Sequence, residues 1–86
     1  MPQLFSLIVS QSIYKSLSKI PLPWRKRIMR AIDLLPQNPY LGEKLWGKLQ
    51  GKRKIRVPPY RIIYELNKKS RRIIILEIGH RQGIYS

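Results

Sequence analysis

Apolar residues in the first part of the chain predict one strand followed by a helix. Residues 3–9 are mostly apolar and include β-branched side chains, as is typical of a short strand. Either Ser10 or Ser12 can then cap a helix, because the apolar residues that follow recur at the spacing of one buried helical face. The predicted buried face consists of Ile13, Leu17 and Ile20.

A second helix is predicted after the prolines at positions 21 and 23. Pro23 suits the first turn of a helix, and apolar residues then recur at helical spacing while charged residues take the opposite face. The predicted apolar face consists of Trp24, Ile28, Ile32 and Leu35. Met29 is also assigned to the core, because methionine and aromatic side chains usually fill cores. The two helices should form a hairpin.

Three strands are predicted in the last third of the chain, after a glycine-containing connection at residues 40–52 that shows no sustained period. The strands are expected at residues 54–57, 60–66 and 72–78, with turn-forming residues at 67–70. The run 73–76 is apolar without alternation, which predicts a strand buried on both faces. The element order β-α-α-β-β-β predicts a single α+β domain over residues 1–86, with a helical hairpin on one face of a mainly antiparallel four-stranded sheet.

The charge balance indicates an anionic partner. The 86 residues include 18 Lys and Arg against 4 Asp and Glu, which gives a formal net charge of +14. Self-repulsion at such a charge destabilises a compact chain, so a polyanion or an acidic protein is the expected partner. Nucleic acid is the first candidate and a membrane surface is the second. An excess of lysine that only promotes solubility is the remaining alternative.

The composition also excludes several kinds of site. The chain contains no cysteine, which excludes disulfides and thiolate zinc sites. One histidine and four acidic residues leave little for a metal cage, so neither a metal nor a cofactor is expected. The N-terminus lacks the pattern of a signal peptide. No run approaches the ~20 apolar residues of a membrane-spanning helix. We therefore expect a soluble, cytoplasmic protein.

Basic residues on the predicted sheet are the candidate functional groups. In residues 54–57 basic and apolar side chains alternate, so Lys54 and Arg56 share one face. Arg61 lies on the next strand, and adjacent strands are only about 4.8 Å apart, so the three cations would form one dense patch. Like charges that oppose each other across a ladder destabilise the pair. Their retention indicates a function rather than a merely solvated face.

Further candidate groups follow the last predicted strand. His80, Arg81 and Tyr85 lie in a tail that could fold back over the basic patch. Tyrosine can stack on a nucleobase or donate a proton. Histidine is the side chain that most readily exchanges a proton near neutral pH, which makes His80 a candidate general base. A histidine that is simply held by a backbone carbonyl at the strand end is the alternative.

These residues occur in a combination that resembles the RelE/ParE superfamily of toxin–antitoxin toxins. The motifs are Lys-Leu-x-Gly-Lys-Leu-x-Gly in residues 44–51, x-Ile-Arg-Val-x-x-Tyr-Arg-Ile-Ile-Tyr-Glu in residues 54–65 and Gly-His-Arg-x-x-x-Tyr in residues 79–85. The resemblance covers essentially the whole chain, because the predicted first strand and helical hairpin fit the same topology.

The resemblance implies a small basic ribonuclease of the RelE branch, an mRNA interferase that cleaves mRNA in the ribosomal A site. The implied reaction is metal-independent, with the 2′-OH attacking its own phosphate. Lys54 and Arg56 match the family's paired cations. Arg61 matches the arginine that stabilises the phosphate, Arg81 the one near the leaving group, and Tyr85 the C-terminal tyrosine. The residues expected to bind RNA are Lys52, Arg53, Lys54, Arg56 and His80.

The implied partners are a cognate acidic antitoxin, bound in a hetero-oligomer, together with the ribosome and mRNA. No membrane and no small-molecule cofactor is expected. The general base stays open at this point, because arginine is effectively never deprotonated and makes a poor base. Lys54, His80 or no well-defined group could take that role.

Two other functions fit the same resemblance. A toxin of the ParE branch would be a non-enzymatic binder that poisons DNA gyrase, and a degenerate relative would bind only antitoxin or RNA. The presence of Arg61, Arg81 and Tyr85 together favours the nuclease, because a binder has no need of a phosphate clamp and a proton donor.

Overall fold

Two helices and five strands make up the part of the chain that the computed structural model describes, residues 4–80. In chain order the elements are β1 (Ser6–Ile8), α1 (Gln11–Ser18), α2 (Leu22–Leu34), β2 (Glu43–Lys44), β3 (Lys52–Val57), β4 (Tyr60–Asn67) and β5 (Arg72–His80), with one turn of 3-10 helix at Gly47–Leu49. Two of the predicted site residues, Arg81 and Tyr85, lie outside the described range.

The two helices begin and end where the local sequence requires. Ser10 is the N-terminal cap of α1, since its hydroxyl accepts a hydrogen bond from the backbone N–H of Ile13 at 3.4 Å. Ser12 lies inside the helix, with its hydroxyl 2.9 Å from that of Ser10. Pro23 lies in the first turn of α2, where its missing N–H has no intrahelical partner to lose.

The five strands form one mixed sheet in the order β1-β5-β4-β3-β2. β1 pairs with β5 in parallel, and the other neighbours are antiparallel. The predicted α+β fold is therefore confirmed, with one strand more than the four predicted. The additional strand, β2, falls in residues 40–52, which were predicted as an irregular connection. A strand of two residues is too short to show alternation of apolar and polar side chains, so β2 is recognisable only by its pairing with β3.

The helices pack on one face of this sheet around a single cluster of buried side chains. α1 and α2 contribute the predicted Ile13, Leu17, Ile28 and Ile32. The sheet contributes Ile62, Tyr64, Ile73, Ile75 and Ile78. Trp24 is partly buried against this cluster. The assignment of Met29 to the core is wrong, because its side chain is 47% exposed; the adjacent Ile28 takes the core-facing position of that helical turn.

The prediction that β5 is buried on both faces is also wrong. Ile73 and Ile75 are buried, but Leu76 is 40% exposed. The register between β4 and β5 shifts at this point: Ile63 pairs with Glu77 and Tyr64 pairs with Ile75, so Leu76 has no partner on β4. The helices therefore cover one face of the sheet, and the other face carries the charged residues described next.

Candidate functional site

A cluster of charged side chains lies on the sheet face that the helices leave uncovered. Arg56 on β3 is directly opposite Arg61 on β4, and residues in register across a ladder point to the same face. Lys54 shares this face because it lies two residues before Arg56 on the same strand. Ile55 and Val57 point the other way and pack against the core. The fold thus brings together three of the predicted cations.

A carboxylate that sequence analysis did not identify completes the cluster. β2 pairs with β3 so that Glu43 is opposite Lys54. One oxygen of Glu43, Oε1, lies 3.2 Å from Nζ of Lys54 and 3.3 Å from Nε of Arg56. The hydrogen bond from Lys54 and the nearby charge of Arg56 lower the pKa of Glu43, so this carboxylate is ionised at neutral pH. We call Glu43, Lys54, Arg56 and Arg61 the open-face cluster.

The members of the open-face cluster differ in exposure. Lys54 is buried, and its ion pair with Glu43 compensates the cost of removing the ammonium group from water. The side chain of Arg56 is 61% exposed and that of Glu43 is 54% exposed. A cavity of about 160 Å³ at the Pro58-Pro59 turn is lined by both Arg56 and Arg61. An anion in this cavity would meet two guanidinium groups, whose geometry suits phosphate oxygens.

The remaining residues predicted to bind RNA divide between the two faces. Lys52 lies on the same face as Lys54, two residues earlier on β3. Arg53 lies on the opposite face, where its Nη1 donates a hydrogen bond to the carbonyl oxygen of Gly42 at 2.7 Å. Its guanidinium carbon is also 4.9 Å from the centre of the Tyr40 ring. Arg53 therefore supports the chain segment that leads into β2.

His80 is likewise not placed with the open-face cluster. It lies at the end of β5, opposite Tyr60 in the register, whereas Arg61 is opposite Gly79. His80 and Arg61 consequently point to opposite faces of the sheet. The rings of Tyr60 and His80 pack edge to face with their centres 5.5 Å apart.

The segment that leads to Glu43 is held in position by hydrogen bonds of Tyr64 with Pro39 and Gly42. Tyr64 is fully buried, and its hydroxyl donates to the carbonyl oxygen of Pro39 at 2.8 Å and accepts from the N–H of Gly42 at 2.9 Å. Burial raises the pKa of Tyr64, so the hydroxyl stays protonated as a donor. Gly42 must be glycine here, because a Cβ would lie 2.8 Å from the backbone oxygen of Lys54 and 2.8 Å from the Tyr64 ring.

We expect Tyr64→Phe to lower the free energy of unfolding by about 1–3 kcal/mol, because it leaves a buried backbone N–H and carbonyl without their partner. Urea unfolding followed by circular dichroism measures this change. Tyr14→Phe is the matched control, since Tyr14 is 60% exposed and should be nearly neutral. Equal unfolding midpoints for both variants would contradict the role given to the Tyr64 hydroxyl.

The open-face cluster combines fixed positive charge with one ionised carboxylate. The cations can bind a phosphodiester and stabilise charge on its oxygens, and the carboxylate can accept a proton. Within residues 4–80 no group of three or more His, Asp or Glu side chains could hold a metal ion. No helix in the same range is long and apolar enough to cross a membrane.

Comparisons with solved structures show the same fold in toxins. The RelB–RelE antitoxin–toxin complex from Methanococcus jannaschii matches with a TM-score of 0.71 and 29% identity, over 91% of this chain and 94% of that one. The RelE–RelB complex from Pyrococcus horikoshii matches with a TM-score of 0.75 and 23% identity, over 94% and 99%. A YoeB/ParE toxin from Agrobacterium tumefaciens matches with a TM-score of 0.73 and 17% identity, over 87% and 96%.

Comparison with protein families gives the same relationship. No curated protein sequence matches the chain significantly. Residues 8–85, however, match the family described as the ParE toxin of the type II toxin–antitoxin system parDE. This match includes both helices, all of β2 to β5 and the open-face cluster. The chain therefore belongs to the ParE toxin family of type II toxin–antitoxin systems, within the RelE/ParE superfamily.

Proposed function

We propose that this toxin is a ribosome-dependent mRNA endoribonuclease that cleaves in the A site and uses the open-face cluster as its catalytic site. The observation that carries the proposal is the position of the Glu43 carboxylate. It is held by Lys54 and Arg56 and lies close enough to Arg61 for that charge to contribute to its lowered pKa. A base and a set of fixed cations on one face are the groups that RNA cleavage by the 2′-OH requires.

In the proposed reaction the 2′-oxygen attacks the adjacent phosphorus, and the bond from phosphorus to the 5′-oxygen breaks. The proton of the 2′-hydroxyl passes to Glu43, and another proton is delivered to the departing 5′-oxygen. The products are a 2′,3′-cyclic phosphate and a 5′-hydroxyl. A well-placed base contributes about 10²–10⁴-fold to such a reaction.

Glu43 suits the role of base better than the groups considered from sequence. His80 points to the other face of the sheet, as its pairing with Tyr60 requires. The ammonium group of Lys54 is engaged as a donor to Glu43, which makes Lys54 a positioning residue. The guanidinium of Arg56 keeps its proton, and its position at the cavity beside Arg61 suits phosphate binding.

The other predicted site residues keep their proposed roles. Arg61 would stabilise charge on the non-bridging oxygens of the phosphate. Arg81 and Tyr85 would act at the leaving 5′-oxygen, and Lys52 would bind a neighbouring phosphate on the same face as Lys54.

The proposed partner in the absence of RNA is an acidic antitoxin. Negative side chains of such a protein would complement the net charge of +14 and cover the open-face cluster at the same time. The relatives from M. jannaschii and P. horikoshii were solved as complexes with RelB antitoxins. Because its proposed target is the ribosome, the toxin would act in the cytoplasm.

One experiment tests the function directly. Purified toxin is incubated with translating ribosomes, and the 5′ ends of the mRNA are mapped. The expected result is new 5′ ends in the A-site codon that depend on ribosomes. A second function is favoured by the description of the matching family as ParE toxins, so the same preparation is added to a DNA gyrase supercoiling assay. Intact mRNA together with inhibited gyrase would replace the nuclease proposal with a gyrase poison.

We expect Glu43→Gln to lower the cleavage rate by about 10²-fold, because glutamine cannot accept the proton; the effect lies at the low end of the range for a general base, since a carboxylate whose pKa is lowered accepts a proton less readily. Binding of RNA should be unchanged or tighter, since a negative charge is removed from the phosphate site. Because the pKa of Glu43 is lowered, the wild-type rate should fall only at a pH below the ordinary glutamate range. Single-turnover cleavage on preassembled ribosomes measures the rate.

Glu77→Gln is the matched control for this prediction. Glu77 is exposed and lies on the same face of the sheet, opposite Ile63 on β4. Glu77→Gln makes the same change in net charge as Glu43→Gln, and Ile63 separates Glu77 from Lys54 in the register of the sheet. If Glu43→Gln and Glu77→Gln cleave at equal rates, Glu43 is not the base.

A further inference from the structure

A pocket at the opposite end of β3 from the Pro58-Pro59 turn is the most distinctive surface outside the open-face cluster. It has a volume of about 250 Å³ and lies where the loop between β2 and β3 meets the end of β4. Its charged lining residues are all cations, namely Lys44, Lys52, Arg53 and Lys68, with Trp46 and Gln50 beside them. We call it the Trp46 pocket.

The tryptophan in this pocket is held in an exposed position. Trp46 is 75% exposed, the highest value among the exposed large apolar side chains of residues 4–80. Tryptophan normally buries most of its ring, because it loses more from exposure to water than most side chains do. An exposed indole therefore needs an explanation outside the packing of the core.

The loop that carries Trp46 has a defined backbone conformation. The N–H of Leu45 donates to the carbonyl oxygen of Lys52 at 3.0 Å and so closes the base of the loop. Inside it, the N–H of Leu49 donates to the carbonyl oxygen of Trp46 at 3.3 Å. Gly47 and Gly51 have φ values of +67° and +90°, which side chains other than glycine rarely adopt. The sequence thus fixes a turn whose only large exposed ring is Trp46.

We propose that the Trp46 pocket is a second RNA-binding subsite, in which one unpaired base stacks on Trp46 and the flanking phosphates contact Lys44, Lys52 and Lys68. A positive groove with an aromatic ring is the usual means by which proteins bind single-stranded nucleic acid. The choice of RNA as the ligand rests on the proposed function. An acidic peptide would also be attracted by the cations, but a flat exposed indole at the edge of a pocket whose charged lining residues are all cations favours a base with its phosphates.

The distance to the open-face cluster fits one continuous RNA strand. Lys52 begins β3 and Arg56 lies four residues further along it, which corresponds to about 13 Å at the rise of a β-strand. Lys52 of the pocket and Lys54 of the open-face cluster lie on the same face of β3, whereas Lys44 is opposite Arg53 and reaches the pocket from the other face, at the edge strand β2. A strand that follows β3 would therefore meet the phosphate site at one end and the Trp46 pocket at the other.

Equilibrium binding of a short RNA without ribosomes tests the subsite. The probe is a fluorescein-labelled decaadenylate whose 2′-oxygens are methylated, so that it cannot be cleaved by 2′-OH attack. We expect Trp46→Ala to raise Kd about tenfold, the loss typical of one stacked base, and Trp46→Phe to restore most of the affinity. Lys68→Ala should reduce the slope of log Kd against log salt concentration by about 0.7, as for one lost phosphate contact.

Exposed residues on the helices provide matched controls. Tyr14→Ala removes an aromatic ring that is 60% exposed on α1, and Lys26→Ala removes an exposed cation on α2. Tyr14→Ala should leave the affinity of the probe unchanged, and Lys26→Ala should leave the salt slope unchanged. The probe should also quench tryptophan emission of the wild-type protein, and this quenching should be lost in Trp46→Phe. Circular dichroism verifies that each variant is folded.

The outcomes separate this inference from the proposed function. Wild-type protein that binds the probe through Trp46 but leaves mRNA intact on ribosomes would support the subsite and overturn the nuclease. Unchanged probe affinity in Trp46→Ala, with no quenching of Trp46, would overturn the subsite even if cleavage is confirmed. Loss of affinity for an acidic antitoxin peptide in Trp46→Ala, with RNA binding unaffected, would identify the pocket as a protein interface and also overturn the inference.

Discussion

Replacing Arg61 by alanine is expected to lower the rate of mRNA cleavage on ribosomes by about 10²–10³-fold, by analogy with the loss of one donor from an oxyanion hole. Ribosome binding should fall little. The effect is expected on the rate because, in the proposed reaction, the guanidinium would face charge that develops only as the phosphate becomes pentacovalent. A group that is already in place for this charge needs no reorganisation during the reaction.

The position of Arg61 explains why its loss should lower the cleavage rate more than the loss of Arg56 does. It is half-buried in the middle of the sheet, directly opposite Arg56, whereas the Arg56 side chain is 61% exposed. Solvent screens an exposed cation more than a partly buried one. Arg56→Ala should therefore act mainly on RNA affinity and its salt dependence, and Arg61→Ala mainly on the rate.

Single-turnover kinetics with saturating toxin measure the rate separately from binding. Arg30→Ala is the control, because Arg30 is an exposed arginine on α2 and its loss makes the same change in net charge. Both variants should sediment with ribosomes as the wild type does. If Arg61→Ala and Arg30→Ala cleave equally fast, the phosphate is not stabilised at Arg61 and the proposed site is misplaced.

Much of the fold could be predicted because strong local signals mark its elements. Prolines separate α1 from α2, and the apolar spacing of Ile13 and Leu17 matches the buried face of α1. The alternation of basic and apolar residues in β3 placed Lys54 and Arg56 on one face. These signals are local in sequence, so one sequence was sufficient to recognise them.

The parts that were missed depend on pairing between distant residues. Glu43 enters the site only because β2 pairs with β3 eleven residues later, and a two-residue strand leaves no pattern. One signal was available, since Glu43 is one of only four acidic residues and directly precedes the first motif of the family resemblance, at residues 44–51. The face of His80 likewise follows from the register between β4 and β5, whereas the face of Arg53 follows from alternation once β3 is known to begin at Lys52.

The irregularity in β5 is the clearest case of a feature that depends on pairing between strands. Residues 73–76 read as one apolar run, but alternation along β5 places Ile75 and Leu76 on opposite faces, and the register shift between β4 and β5 leaves Leu76 without a partner on β4. Ile75 is 3% exposed within the core cluster, whereas Leu76 is 40% exposed. Two neighbours of similar size and polarity thus occupy opposite environments.

We therefore expect Ile75→Asp to unfold the protein and Leu76→Asp to leave it folded. At position 75 the carboxyl group would be placed among apolar side chains with no cation in the cluster to pair with it, and the cost of burying it, added to the loss of the packed isoleucine side chain, is comparable to the roughly 5–15 kcal/mol that stabilises a typical domain. At position 76 the same carboxylate can remain in water.

The far-ultraviolet circular dichroism spectrum and the thermal unfolding transition distinguish the two outcomes, with Ile75→Asp losing the cooperative transition and Leu76→Asp keeping it. Because both variants change the net charge equally, a difference between them reports on burial alone. A folded Ile75→Asp protein, or an unfolded Leu76→Asp protein, would mean that the register of β5 is shifted by one residue from the one described, and the side chains assigned to the core and open faces of this strand would exchange places.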